Sequence, residues 1–290
     1  MGVLASTISR PAAGVYTGLD IANYSSDSPV LVLSNRRINS GYTGPLIRLR
    51  RSTDSVESDF GSGLDMGDFL DYSAIDTWLS GGTAYVVKWY DQSGQGRDLQ
   101  QATASRQPIL SASATTGRAV KFSGLSDCHL SSVSQVSGGF FSSGPAISVH
   151  HATDTNDAGF CANMSVSTAP HVSGNITYFR TNRFSTANRF SWRGTQFQPS
   201  GTPAAAGNEY LYYHHDGSNL RVDHNATQIG STPNTTAAHS SGDSFNLGAD
   251  ATSQEWEGYT YELIIFDSSQ ATADSDAVRD DMNSTYTLYT

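Results

Sequence analysis

Glu255-Trp256-Glu257 sets two carboxylates two residues apart. On a strand, positions i and i+2 share a face, so these groups would stand ~7 Å apart. Retaining hydrolysis of a glycosidic bond needs a nucleophilic carboxylate and a proton-donating carboxyl about 5 Å apart. The third acid of such alternating motifs is absent and Gly258 follows at once, so a solvated strand start is the commoner explanation. Asp91-Gln92-Ser93-Gly94 puts a hydroxyl beside a carboxylate, but no Gly-x-Ser-x-Gly elbow surrounds it. Its side chains more simply satisfy backbone donors in a turn. His150-His151 and His214-His215 lie on expected strands. Strand neighbours point to opposite faces, so neither pair can hold one metal ion, and no zinc spacing is present.

A second kind of chemistry is contact rather than catalysis. Tyr178, Phe179, Phe184, Phe190, Trp192 and Phe197 are interleaved with Arg180, Arg183, Arg189 and Arg193. Aromatic faces stack on sugar rings, and guanidinium forks bind hydroxyls or carboxylates. Strand alternation should turn half of these aromatics inward. Tyr178, Arg180, Arg183, Trp192 and Arg193 are the candidate contacts, for a glycan or for a neighbouring subunit.

The elements that must position these groups are short strands. Gly, Ser, Thr, Asn and Asp are abundant and long apolar runs are missing, which suits many strands with tight turns. Hydrophobic content is only 37%, so the core must draw on the 14 Tyr, 12 Phe and 4 Trp. Strands are expected at 29–33, 46–50, 83–90, 118–122, 146–150, 177–180, 189–192, 209–215, 220–224, 245–247 and 258–266. Asp216-Gly217 is a hairpin turn signal. Leu263-Ile264-Ile265-Phe266 reads as a central strand covered on both faces. Ser73, with Asp76 three residues on, predicts a short helix that Gly81 closes. Near the C-terminus, Thr272 or Asp274 is expected to cap a helix over about 274–286. Val278, Met282 and Tyr286 fall four apart on one of its faces.

The formal charge of -10 disfavours a nucleic-acid partner, and no polybasic or bilayer-length apolar segment points to a membrane. Residues 1–28 read as an arm that docks on a neighbouring subunit, with 29–290 as one β-sandwich. Residues 1–13 hold no hydrophobic core of signal-peptide length. Cys128 and Cys161 are expected as two free thiols, as in a chain made in the cytosol.

Two segments carry a family resemblance. Gly41-Tyr42-Thr43-Gly44-Pro45-Leu46 runs into a strand with Arg48, Arg50 and Arg51. Trp89-Tyr90-Asp91-Gln92-Ser93-Gly94-Gln95-Gly96 runs on to Gln101-Ala102. Together with Arg36, they resemble the catalytic domain of the fungal arabinofuranosidase B family, and the same segments recur in bacteriophage tail and head-surface proteins. The resemblance implies a concanavalin-A-like antiparallel β-sandwich, an all-β jelly roll with one inner helix and a C-terminal helix. It implies that Asp250, in Leu247-Gly248-Ala249-Asp250, matches the family's acid, which sits in a Gly-Gly-Asp loop. The family's nucleophile motif, Asp-Leu-Glu-Asn-Gly, has no counterpart, and no Asp or Glu lies between Asp157 and Glu209. Laminin-G-like relatives of the fold often bind a structural calcium ion, for which Asp154-Thr155-Asn156-Asp157 is the candidate loop; an Asx-rich turn is the commoner reason for such a run. No other cofactor is implied.

On this reading the chain is expected to be a non-enzymatic structural or adhesion protein of a bacteriophage virion. It would be a head-decoration or tail-appendage subunit, made in the host cytoplasm, homo-oligomeric and joined to other virion proteins through its arm, with an affinity for glycans. The alternatives are a glycoside hydrolase of arabinofuranosidase type and a lectin module of a cellular protein.

Overall fold

The computed structural model describes residues 20–21, 28–61, 69–112, 118–124, 128–132, 147–154, 160–168, 177–182, 189–192, 195–197, 208–233, 235, 243–248 and 257–289. Its strands in chain order are β1 (Leu31–Ser34), β2 (Ile47–Arg51), β3 (Glu57–Phe60), β4 (Ala84–Trp89), β5 (Leu99–Gln100), β6 (Ile109–Ala112), β7 (Arg118–Ser123), β8 (Leu130–Ser132) and β9 (Ile147–Asp154). They continue as β10 (Phe160–Thr168), β11 (Thr177–Asn182), β12 (Arg189–Trp192), β13 (Thr195–Phe197), β14 (Asn208–His215), β15 (Asn219–His224), β16 (Thr227–Pro233), β17 (Asp243–Leu247) and β18 (Glu257–Phe266). The helices are α1 (Tyr72–Leu79) and α2 (Thr272–Tyr286). The all-β sandwich expected from the sequence is thus the observed class.

All pairings are antiparallel, and they form two layers. One runs β16-β15-β14-β9-β18, and β18 then pairs with β7 along its first half and β1 along its second. The other runs β3-β2-β4-β5-β8-β17-β10-β11-β12-β13. Strand β6 bridges β4 and β7 and so joins the layers. The inner core sets Val149, Leu211, Tyr213, Val222, Leu263 and Ile265 of the first layer against Leu49, Val86, Trp89, Leu99, Phe245 and Leu247 of the second.

The outer face of the first layer is also buried. Val32, Ala152, Tyr210, Tyr212, Ile264 and Phe266 lie under Val278, Met282 and Tyr286 of α2. This is the face expected from their four-residue spacing. It also explains the apolar run in β18: Leu263 and Ile265 fill one core while Ile264 and Phe266 fill the other.

Both helix starts differ from expectation. The N-cap of α1 is Asp71, not Ser73; its Oδ1 accepts from the Ala74 amide at 3.0 Å and from the Ser73 hydroxyl at 2.7 Å. A carboxylate meets the helix dipole better than a hydroxyl. Asp76 instead accepts from Arg118 at 2.5 Å. Helix α2 begins at Thr272 behind Ala271, which offers no side-chain cap. Asp20 and Ile21 contact the following segment: the Ser40 amide donates to Asp20 Oδ1, and the Ile21 amide donates to the Ile38 carbonyl.

A buried charge cluster fixes α2 to the sheet. Arg36 Nε donates to Glu262 Oε2 at 2.9 Å, and its Nη2 reaches Glu262 Oε1 at 3.0 Å and Asp281 Oδ2 at 2.5 Å. The Ser34 and Tyr286 hydroxyls also donate to Glu262 Oε2, at 2.7 and 3.0 Å. Burial opposes the arginine's charge, but Glu262, Tyr286 and Asp281 hold its pKa well above the ordinary value. Arg36→Met should cost about 3–5 kcal/mol, because it strands two carboxylates beneath the helix. Urea unfolding measures this, and a loss below about 1 kcal/mol would show that the cluster does not hold the helix.

Candidate functional site

The segment from Arg36 to Gln101 builds a frame in which polar side chains replace secondary structure. Asp91 Oδ1 accepts from the amides of Val32 at 2.9 Å and Ser93 at 2.8 Å. Its Oδ2 accepts from the Ser93 hydroxyl at 2.6 Å and the Arg97 amide at 3.0 Å. Gln92 Oε1 accepts from the Ile38 amide, and its Nε2 donates to the Arg36 carbonyl. The Ser93 hydroxyl is therefore bound to a turn carboxylate, and no imidazole among the described residues is seen to activate it. Tyr42 donates to the Pro45 carbonyl at 2.6 Å. Its hydroxyl oxygen and nearest ring carbon lie 2.6 and 2.8 Å from where a side chain on Gly44 would begin, so the Tyr-x-Gly-Pro spacing is a packing requirement. Gln101 donates to the His129 carbonyl at 3.1 Å, and Gln107 donates to the Gln101 carbonyl at 2.9 Å. Strand β5 beside Gln101 pairs with β8, which pairs with β17, so the frame reaches the strand that ends just before Asp250.

Asp250 and Glu255 lie in the stretch 249–256, outside the described residues, which end at Gly248 before it and resume at Glu257 after it. Strand β17 ends at Leu247 opposite Leu130, and Gly248 follows with φ +103°. The chain enters β18 at Glu257, opposite Ser123. Gly258 and Thr260 pair with Phe122 and Val120, two residues of the inner core. Glu257 and Tyr259 therefore take the opposite face. There Lys121 lies 5.3 Å from the Tyr259 ring, and half-buried Glu257 stands over Gly124.

The structure adds a group of polar residues that sequence reasoning missed. His151, Thr153, Glu209, His224 and Thr260 share the inner face at one end of the first layer. Glu209 pairs with Thr153, Thr153 with Thr260, and Leu211 with both His151 and His224. Glu209 is 1% exposed, and its Oε2 lies 3.0 Å from His224 Nε2. His151 Nε2 lies 3.1 Å from the Thr260 hydroxyl. Alternation was the available signal: Glu209 shares a face with Leu211 and Tyr213, two positions on each time. His150 takes the outer face, with Nδ1 2.6 Å from the Tyr210 hydroxyl and Nε2 2.5 Å from Gln270. The adjacent histidines thus serve opposite faces. His214 meets the Ser269 hydroxyl, while His215 accepts from the Gly217 amide.

Among the described residues no three His, Cys, Asp or Glu side chains are grouped to hold a metal ion. Asp154 ends β9, and residues 155–157 of the candidate calcium loop lie outside the described residues. Cys128 is buried, and the side chain of Cys161 lies outside what the structure describes. In the aromatic and arginine segment, Tyr178 and Arg180 lie on β11 and pair with Ser191 and Arg189 of β12. Trp192 ends β12 opposite Thr195, while Arg183 and Arg193 lie outside the described residues. A shallow groove between β14–β15 and α2 is lined by Tyr210, Tyr212, Arg221, Asp223 and Arg279. Its charges pair internally, Arg221 with Asp223 and Arg279 with Asp276, each at 2.5 Å.

Residues 25–136 match the family described as alpha-L-arabinofuranosidase B, catalytic. The chain is 32% identical over 99 residues to alpha-L-arabinofuranosidase B of Aspergillus kawachii, a span of 34% of this chain and 19% of that protein. It is 36% identical over 69 residues to alpha-L-arabinofuranosidase B of Emericella nidulans, 24% of this chain and 13% of that protein. The matched stretch is thus about a fifth or less of these curated relatives. In three dimensions, an arabinofuranosidase complexed with arabinofuranosyl-alpha-1,2-xylobiose aligns over 92% of this chain and 64% of its own, with TM-score 0.72 and 17% identity. That similarity extends the shared fold far beyond the matched segment.

These findings correct the expectation of a bacteriophage virion protein. The family and relatives that match are arabinofuranosidases, and no finding places the chain in a head, a tail or any virion location. They equally overturn the expectation of a non-enzymatic chain. The Asp-Leu-Glu-Asn-Gly motif is missing from the sequence, but the family match covers the whole frame from Arg36 to Gln101.

Two measurements test the site's polar interior. Ser93→Ala should leave any turnover within about twofold and cost about 1–3 kcal/mol of stability, as loss of the hydrogen bonds its hydroxyl makes with Asp91 and the Gln95 amide does; loss of activity with the fold intact would make the hydroxyl catalytic. Burial pushes the pKa of both His150 and His151 down to about 3. Each stays neutral in the folded chain while the unfolded chain takes up its proton near pH 6.5. Their stability contribution is complete above about pH 6.5 and falls as pH drops toward 3, by about 1.4 kcal/mol per unit for each histidine. His151→Gln should flatten that slope in urea titrations between pH 7 and about 4, and an unchanged slope would contradict the neutral assignment.

Proposed function

We propose that the chain is a glycoside hydrolase of arabinofuranosidase type, cleaving α-L-arabinofuranosidic bonds in arabinose-substituted glycans. The observation that carries this reading is the family match across residues 25–136, the stretch that builds the Arg36–Asp91–Gln92–Gln101 frame. The shared sandwich over 92% of the chain supports it.

Asp250 is assigned the acid/base role, from its place in the sequence Gly248-Ala249-Asp250 that follows β17. In the first step its carboxyl gives a proton to the leaving oxygen as the bond to the anomeric carbon breaks and a second carboxylate bonds to that carbon. In the second step water displaces that carboxylate and gives its proton back to Asp250. Glu262 is excluded as the second group, being fully buried and bound to Arg36 beneath α2. The aromatic and arginine segment holding Tyr178, Arg180 and Trp192 is assigned to glycan contact.

The unaltered protein should release nitrophenol from a nitrophenyl α-L-arabinofuranoside and arabinose from arabinan. Asp250→Asn should lower turnover of arabinan by about 10²–10⁴-fold. An unaltered chain that folds but releases neither product contradicts the reading.

A further inference from the structure

The outer face of the second layer carries one continuous polar row. Asp59 of β3 pairs with Arg48 of β2, Arg48 with Lys88 of β4, and Lys88 with Gln100 of β5. Gln100 then pairs with Ser131 of β8, and Ser131 with Asn246 of β17. Their chain neighbours Leu49, Trp89, Leu99, Leu130 and Leu247 fill the inner core, so the row faces away from it. Crossing six strands, it is about 24 Å long. Its groups are held in place. Arg48 meets Asp59 through two bonds of 2.7 Å, and the Tyr90 hydroxyl donates to Asp59 at 2.8 Å. Lys88 reaches Asp98 at 3.3 Å and lies 5.2 Å from the Tyr90 ring centroid. The Ser131 hydroxyl donates to Asn246 Oδ1 at 2.7 Å. The row also steps down, from long Arg48 and Lys88 to short, uncharged and half-buried Ser131 and Asn246.

We infer that this row holds the main chain of an uncharged polysaccharide, laid across the strands. The charges of the row cancel, Arg48 against Asp59 and Lys88 against Asp98. An anionic polymer meets both cations already paired, and the chain's net charge of -10 repels it. A protein partner would need an apolar centre, and the row has none. Fixed donors and acceptors without net charge suit a ligand rich in hydroxyls. Strand β17 continues through β10 to β11 and β12, the segment assigned to glycan contact. The inference deepens the hydrolase reading, on which the choice of an arabinose-containing glycan rests, but it concerns binding and is tested without turnover.

Affinity electrophoresis in the cold, through gels containing arabinan, tests it. Arabinan should retard the unaltered protein, and polygalacturonate, an acidic glycan, should not. Raised salt should leave the Kd for arabinan within about twofold, because no charge is exchanged. Gln100→Ala and Asn246→Ala should each raise that Kd by about 3–10-fold, and the two together by about 10–100-fold, as loss of one and of two sets of hydrogen bonds does. Their melting temperatures should stay within a few degrees of the unaltered protein's. If either variant does not fold, Lys88→Met decides, with the same rise expected. Asp280→Ala, on exposed α2 at the far side of the molecule, should bind as the unaltered protein does. Row variants that bind normally, an equal loss in Asp280→Ala, a preference for polygalacturonate, or no retardation of the unaltered protein overturn the inference. Nitrophenol release judges the hydrolase reading separately. Release from the unaltered protein, with row variants that bind normally, overturns the row alone. Retardation that depends on the row, with no release, overturns the hydrolase reading and leaves the row as a glycan-binding face.

Discussion

Arg36 lies where β1, β18 and α2 meet. It follows β1, pairs with fully buried Glu262 of β18 and reaches partly buried Asp281 of α2. An arginine in that position is tolerable only with its charge matched and its donors filled. Its backbone is held as well, because Gln92 donates to its carbonyl. One side chain therefore couples the matched segment, the central strand and the C-terminal helix. The strand it grips is the hub of the first layer, since β18 pairs with β1, β7 and β9. Anything that displaces Glu262 displaces the strand that restarts just after Asp250.

Much of this was legible in the sequence where a single physical pattern dominates. The run Leu263-Ile264-Ile265-Phe266 has no polar alternate, which only a strand with two buried faces accepts, and β18 has two. Val278, Met282 and Tyr286 kept their helical spacing because one face of α2 does all the burying. The turn at Asp91 was readable because a carboxylate before Ser-Gly has amides within reach, and the structure fills both of its oxygens.

What escaped notice had no apolar period. Strand β3, Glu57-Ser58-Asp59-Phe60, is an edge strand. Its ion pair of Asp59 with Arg48, at 2.7 Å, stands where buried residues would give a signal. The inner polar group failed for a different reason. Glu209 and His224 look like solvated strand ends until β9 and β14 are placed side by side, and that pairing is long-range. Ser73 and Asp76 have a capping-box spacing, but Asp71 caps α1 and Asp76 is engaged by Arg118, more than forty residues on. The functional misreading was of the same kind. The absent nucleophile motif is a local signal, whereas the hydrogen bonds that join Arg36, Asp91 and Gln92 into one frame are long-range.

The central claim is that this frame carries a working glycosidase with a nucleophilic carboxylate. The most direct measurement is intact-mass spectrometry of the chain after incubation with an arabinofuranose-configured mechanism-based inhibitor such as a cyclic sulfate, followed by mapping of the modified peptide. The account predicts one sugar-derived addition per chain, on an Asp or Glu, prevented by excess arabinose. A folded chain that remains unmodified, or one modified at scattered residues regardless of arabinose, would contradict it.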